Sequence, residues 1–285
     1  MLRFVKYHGV GNDFILVDGL SLQAVVSPTQ AIQLCDRHFG IGADGVILAL
    51  PSQTADCRML LYNSDGSEAE MCGNGLRCLV RFVRDEGLIR KAELTIETPA
   101  GPRRARLAVQ GQVIEISVEM GAPLLSASDV PTTLVAPTAS AVEAPLVIDD
   151  TVWHVTALNT GVPHCVIFVE DAETTNWRTI GPRIAAHPAF PQKTNVMFTQ
   201  LVAQDHLYVR PWERGAGPTL ACGTGACAAA IAAVLTGRAG RDVQVTLPGG
   251  TLRIQWDAGS NQIIMTGPAE RVFVGELTEH LLEGA

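Results

Sequence analysis

The sequence predicts an α/β protein built from two related halves, and three observations carry that prediction. Runs of β-type residues alternate with short helical stretches along the chain. A set of turn motifs occurs twice in the same order. Finally, Cys-Gly-x-Gly stands before a helical stretch in each half, as "EMCGNGLRC" at residues 70–78 and "LACGTGACA" at residues 220–228.

The elements of the first half follow in order. "FILVD" (14–18), "GVILAL" (45–50), "RMLLYN" (58–63), "ELTIET" (93–98) and "VIEISVEM" (113–120) are predicted strands by their alternation or β-branched content. "SPTQAIQLCDRH" is a predicted helix with Ser27 as N-cap and Pro28 at its first position. "NGLRCLVRFVRDEG" is a second, closed by Gly87.

The second half echoes this order. "HGVGNDFILVDG" (8–19) parallels "NTGVPHCVIFVED" (159–171), and "LLYNSDG" before Cys72 parallels "VRPWERG" before Cys222. "TPAG" (98–101) and "LPGG" (247–250) each precede two strands, which close on "MGAP" (120–123) and "TGPA" (266–269). Such a repeat implies two domains, 1–120 and 121–268, facing each other across one site. The Ser-, Thr-, Pro- and Ala-rich stretch 126–145 is a predicted loop entering the second half.

Composition narrows the function. The chain has 285 residues, 47% of them hydrophobic, which predicts ordered cores. A formal net charge of −8 argues against a nucleic-acid partner, which needs a basic face. The N-terminal apolar run is broken by Lys6, His8 and Asp13, unlike a signal peptide, and the apolar run from Ala226 to Leu235 is too short to span a bilayer. Seven cysteines without a dense framework predict reduced thiols in the cytoplasm. Cys72 and Cys78 do not have the Cys-x-x-Cys spacing of a zinc site. "GIGADG" (40–45) fits G-x-G-x-x-G, but a helix precedes it and a strand follows, the reverse of a dinucleotide fingerprint; no P-loop motif is present.

Asn74 and Thr224 are good N-cap types, which sets Cys72 and Cys222 just outside two helix N-termini. Unpaired N–H groups and the helix dipole favour negative charge there, so both thiols are expected to have lowered pKa values. The turns at Gly73–Asn74 and Gly223–Thr224 are open enough to receive a carboxylate or phosphate. One such cysteine is as readily a buried packing residue; two in equivalent places of a repeat are harder to explain that way. A Cys72–Cys222 disulfide fits a reducing compartment poorly. Cys35, Cys57, Cys78, Cys165 and Cys227 sit in apolar stretches and are expected to pack. Chemically, two thiols on opposite sides of one carbon suit removal of a proton from one face and delivery to the other, which is racemisation or epimerisation without a cofactor.

"HGVGNDF", "YNSDGSEAEMCGNG", "GVPHCV", "TNV", "WERGAG" and "ACGTGA" together resemble the diaminopimelate epimerases, which interconvert LL- and meso-diaminopimelate on the lysine and peptidoglycan pathway. The resemblance spans essentially the whole chain. It implies a homodimeric epimerase, free of pyridoxal phosphate and of metal, with diaminopimelate as its small-molecule substrate. It implies two pseudo-symmetric α/β domains, each a mixed, largely antiparallel sheet around a central helix, with the site in the cleft between them and residues 269–285 returning to the first domain. By similarity, Cys72 and Cys222 are the acid/base pair and Arg214 holds the distal carboxylate. Asn12, Asn63 and Asn195 give neutral hydrogen bonds to the distal amino-acid end. Gly73, Asn74, Gly223 and Thr224 bind the reacting carboxylate, and His164 and Glu213 lie near the cysteines. Two positions depart from the family pattern. Val162 stands where many members have Asn in Gly-Asn-Pro-His, which makes Asn159 the candidate replacement contact, and Gly45 stands where some have Gln. A proline-type racemase of the same broad fold has one α-amino-acid end to bind and no evident need of Arg214 and the asparagines. A non-catalytic amino-acid-binding protein is the alternative from another class.

Overall fold

The computed structural model describes residues 2–22, 25–110 and 113–277. The described residues of Met1–Glu119 and Thr266–Ala285 form one compact unit, and Met120–Met265 a second. The last part of the expected returning tail, 278–285, lies outside the described residues.

The first unit holds β1 (Leu2–Gly9), β2 (Asn12–Asp18), α1 (Pro28–Cys35), β3 (Gly45–Leu50), β4 (Cys57–Asn63), α2 (Gly73–Asp85), β5 (Glu93–Glu97), β6 (Arg103–Gln110) and β7 (Val113–Gly121), the last reaching across the boundary. The second unit holds β8 (Ala141–Ile148), β9 (Thr151–Asn159), β10 (Pro163–Phe168), α3 (Trp177–Ala185), β11 (Asn195–Ala203), β12 (His206–Glu213), the short β13 (Gly217–Pro218), α4 (Gly223–Leu235), β14 (Asp242–Leu247) and β15 (Gly250–Trp256). Then come β16 (Ile263–Gly267), which crosses the boundary, and β17 (Glu270–Leu277), which belongs to the first unit.

Strand pairing repeats between the units. β1 and β2 are antiparallel, β2 and β3 parallel, β3 and β4 antiparallel, β4 and β5 parallel. In the second unit β9 and β10 are antiparallel, β10 and β11 parallel, β11 and β12 antiparallel, β12 and β14 parallel. Each parallel step needs a crossover, and a helix supplies it: α1 and α2 in the first unit, α3 and α4 in the second. The sheets are therefore mixed rather than purely antiparallel. β17 lies antiparallel on β1 as β8 lies on β9.

Residues on both faces of the inner strands are buried, since helices cover both sides. Ile15 and Leu16 of β2 point to opposite faces, as do Val46 and Ile47 of β3, and all four are inaccessible. α1 packs through Ala31, Leu34 and Cys35 on Phe4, Ile15, Val17 and Val46. α3 packs through Trp177, Ile184 and Ala185 on Val155, Ile167, Val196 and Phe198. α2 is buried from Gly73 to Val80, and α4 from Gly225 to Ala233. α4 is small and apolar all round (GTGACAAAIAAVL), as a helix enclosed on every side must be. Among the described residues no helix is long and apolar enough to cross a membrane.

Two expectations need correction. Residues 126–145 are not all loop, because β8 begins at Ala141; Glu143 at φ 48° and a register shift between Ala141 and Ala144 form an irregularity inside the strand. Pro145 follows in the strand without breaking it. Helix α2 begins at Gly73 and α4 at Gly223, so the N-caps are Cys72 and Cys222, and Asn74 and Thr224 lie inside the first turn. Cys72 has φ −142° and ψ 112°, and Cys222 φ −130° and ψ 103°, the extended backbone of an N-cap.

Candidate active site at two helix entrances

In the first unit the cysteine itself caps its helix. The Gly75 N–H donates to Cys72 Sγ at 3.4 Å, satisfying one N–H that α2 leaves without an intrahelical partner. The Cys72 thiol lies 3.8 Å from Asn12 Oδ1, at the start of β2. Asn74 Nδ2 donates to that same oxygen at 3.3 Å. Asn12, Cys72 and Asn74 are therefore one cluster. Asn63, at the end of β4, is exposed and donates from Nδ2 to Ser67 Oγ at 3.0 Å within the turn that follows.

In the second unit the corresponding entrance is drier. Cys222 is buried at 5% exposure, with its sulfur 3.6 Å from Thr224 Oγ1. Thr160 Oγ1 donates to the Thr224 carbonyl at 2.8 Å and ties the end of β9 to the first turn of α4. Burial pushes the Cys222 thiol pKa well above its usual value, and the neighbouring Glu213 carboxylate pushes the same way. Thr224 and the Gly225 N–H pull against them and lose. The expected lowering of this thiol is therefore reversed: desolvation of a thiolate outweighs a helix entrance. Glu213 Oε1 accepts from Thr219 Oγ1 at 2.6 Å, which fixes the carboxylate beside the cysteine.

Register brings the remaining candidates to one sheet end. His164 in β10 is paired with Asn195 in β11, and β12 ends at Glu213. Asn195 Oδ1 accepts the Arg214 backbone N–H at 2.9 Å, while Arg214 Nη1 donates to the Gln192 carbonyl at 2.9 Å. His164 is fully buried with neither ring nitrogen hydrogen-bonded. Burial, with a smaller contribution from the Arg214 charge, pushes its pKa down to about 3, so the imidazole is neutral. Asn159 commits its side chain to the turn: Nδ2 donates to the Asp129 carbonyl at 3.0 Å and Oδ1 accepts the Gly161 N–H at 2.9 Å.

Cys35, Cys57, Cys78, Cys165 and Cys227 are buried, and burial raises the first two thiols to about 11 and about 12. Among the described residues no cluster of three His, Cys, Asp or Glu side chains could hold a metal ion. Polar residues outside the expected set also touch these clusters, among them Asp44, Arg77 and Thr219. Asp44 lies inside the glycine motif that imitates a dinucleotide fingerprint. Arg77 and Thr219 flank the cysteine motifs and look in sequence like ordinary helix and turn residues.

The fold is shared with solved structures of low sequence identity. A hydroxyproline epimerase from Agrobacterium vitis superposes with a TM-score of 0.68 at 16% identity, covering 96% of this chain and 91% of its own. A phenazine biosynthesis PhzF-family protein from Bacillus anthracis superposes with a TM-score of 0.68 at 18% identity, covering 97% and 99%. The sequence is more specific than the fold. The family profile described as diaminopimelate epimerase matches residues 4–125 and 156–272. Diaminopimelate epimerase 1 of Nostoc sp. is 52% identical over 280 residues, 97% of this chain and 99% of its own. That of Heliobacterium modesticaldum is 49% identical over 281 residues, with 97% and 99% covered. The chain belongs to the diaminopimelate epimerase family.

Proposed function

We propose that this protein epimerises LL-diaminopimelate to meso-diaminopimelate by a two-base reaction in which Cys72 and Cys222 act on opposite faces of one α-carbon. The observation that carries the reading is a cysteine at the N-cap of the buried helix in each of two repeated units, in a chain of this family. The thiolate of one cysteine takes the α-proton, the electron pair passes into the substrate carboxylate as an enediolate, and the thiol of the other returns a proton to the opposite face. Burial and Glu213 hold Cys222 as the thiol, the form that gives a proton. The first N–H groups of α2 and α4, at Gly73, Asn74, Gly223 and Thr224, receive the carboxylate as its charge grows. Pyridoxal phosphate has no step to perform in such a reaction.

The distal end of the substrate is assigned to Arg214, whose exposed guanidinium suits a carboxylate fork, and to Asn195 against it, with Asn12 and Asn63. His164, neutral and with unpartnered ring nitrogens, is suited to hydrogen-bond a substrate amine. Asn159 is assigned as the replacement contact for the asparagine absent at Val162, through the N–H and the lone pair that its bonds to Asp129 and Gly161 leave over. Localisation in the cytoplasm is supported by a sequence whose seven cysteines form no dense disulfide framework. A homodimer is supported by the exposed run Val272, Phe273 and Val274 on β17.

The test is uptake of deuterium from solvent into diaminopimelate, run beside proline, with protein free of pyridoxal phosphate. Exchange and epimerisation of diaminopimelate alone are expected, since a protein that merely binds cannot wash in deuterium. Cys72→Ala and Cys222→Ala should each abolish epimerisation; full activity in either variant would overturn the two-base reading.

A further inference from the structure

The loop "GIGADG" between α1 and β3 places Asp44 at one end of a directed chain of hydrogen bonds that passes the Cys72 sulfur. Asp44 Oδ2 accepts from Asn12 Nδ2 at 2.7 Å. Asn12 Oδ1 accepts from Asn74 Nδ2 at 3.3 Å, and Asn74 Oδ1 accepts from Arg77 Nη2 at 2.9 Å. A carboxylate can only accept and a guanidinium can only donate, so the two ends set the direction of both amides between them. Asn12 must turn its NH₂ to Asp44, and its carbonyl oxygen is the atom left facing Cys72, at 3.8 Å.

Both ends of this chain are anchored. Arg37 bridges Asp44 and Asp13, with Nη2 at 2.8 Å from Asp44 Oδ1 and 2.7 Å from Asp13 Oδ1. The Asp13 N–H donates to Asp44 Oδ2 at 3.1 Å, and Lys6 Nζ lies 2.6 Å from Asp13 Oδ2 and donates to the Gly42 carbonyl of the same loop. At the other end Arg77, fully buried, donates from Nε to the Pro268 carbonyl at 3.1 Å.

We propose that Asp44 is a positioning residue: through Arg37 on one side and Asn12 on the other, it fixes the Asn12 amide with its acceptor oxygen toward the Cys72 thiol. The proposal rests on the reading of Cys72 as an acid/base residue. Without the Asp44 carboxylate only the longer contact from Asn74, itself directed by Arg77, still holds the amide one way round, and an Asn12 that flips presents a donor where an acceptor stood. The loop that imitates a dinucleotide motif is then a support for the cysteine.

The test is a double-mutant cycle on the full-length enzyme with diaminopimelate as substrate. Asp44→Ala should lower kcat about 10- to 100-fold, the cost of a misplaced group beside the reacting atoms. Asp44→Asn, which keeps an oxygen that can accept from Asn12, should recover most of that loss. Asp44→Ala combined with Asn12→Ala should be no slower than Asn12→Ala alone, because one residue acts through the other. The Asp44 side chain is 42% exposed, so its removal empties no core; Asp44→Ser takes the place of the alanine variant if that variant does not fold. Losses that multiply in the double variant, an Asp44→Asn as slow as Asp44→Ala, or an Asp44→Ala within about twofold of wild type would each overturn the proposal. A wild-type enzyme that leaves diaminopimelate unchanged sinks instead the reading of the reaction, so the two failures are distinguishable.

Discussion

His164 is a buried imidazole whose ring nitrogens meet no partner in the protein, and solution pH should reveal it. Its pKa lies near 3 in the fold, against about 6.5 in an unfolded chain, because burial opposes the charged ring and Arg214 repels it. The folded-state pKa is depressed, so its contribution is fully present above about pH 6.5 and is lost as pH falls toward 3, where the unfolded state binds a proton that the folded state refuses. Each tenfold difference in proton affinity between the two states is worth about 1.36 kcal/mol, which makes the whole window worth on the order of several kcal/mol. Denaturant melts of wild type and His164→Phe from pH 7 to pH 4 should show a shallower decline in the variant; parallel declines would place the buried proton uptake elsewhere. The "GVPHCV" motif marks His164 in the sequence, but its charge state depends on how tightly β10 and β11 close around it, which no local pattern records. The Cys222 thiol is a like case, with its helix entrance legible and its desolvation not.

The start of α1 was the most legible helix end. Ser27 caps α1 and shares a reciprocal capping box with Gln30, as the Ser-Pro-x-Gln spacing requires. By contrast α3 was invisible, since Gly181-Pro182 lies in its middle. The helix survives because Gly181 sits against the Trp212 ring, where an added Cβ would come within 2.9 Å, so tertiary contact overrides propensity. Gly45 shows the same kind of constraint on a strand. It opens β3 opposite Asn63 of β4, and a Cβ there would lie 2.6 Å from the Tyr62 carbonyl oxygen, a backbone atom with nowhere to go. The departure at position 45 is thus a packing requirement of this β3–β4 pair. Gly45→Ala should destabilise the fold by about 1–3 kcal/mol, the usual cost of overpacking, and weaken substrate binding by moving Asn63. A thermal melt and KM together check it, and an unchanged melting temperature would show that the two strands part freely.

The repeat was legible because turn motifs recur in order, yet the units close differently in the chain. The second unit takes its outer strand, β8, from residues before β9; the first takes β17 from the far end of the chain and lays it on β1. Residue patterns alone offer little warning of such a return, which only the family resemblance implied, since β17 pairs with residues more than 260 positions away, from Leu2↔Leu277 to His8↔Glu270. β17 also carries the feature that bears on assembly. Val272, Phe273 and Val274 are 55%, 45% and 46% exposed, and because successive side chains point to opposite faces, apolar surface is open on both sides of the strand. Isolated exposed apolar residues need no explanation, but three in succession on a strand are costly to leave in water. A second copy of the same strand would cover them in a self-complementary contact, since a twofold interface uses one patch twice. Sedimentation of the wild-type protein should therefore give a dimer, and Val272→Lys with Val274→Lys should give a folded monomer. The lysines add like charges to each partner at the same patch, so dissociation should be most complete at low salt. A double variant that remains a dimer across the salt range would move the interface away from β17.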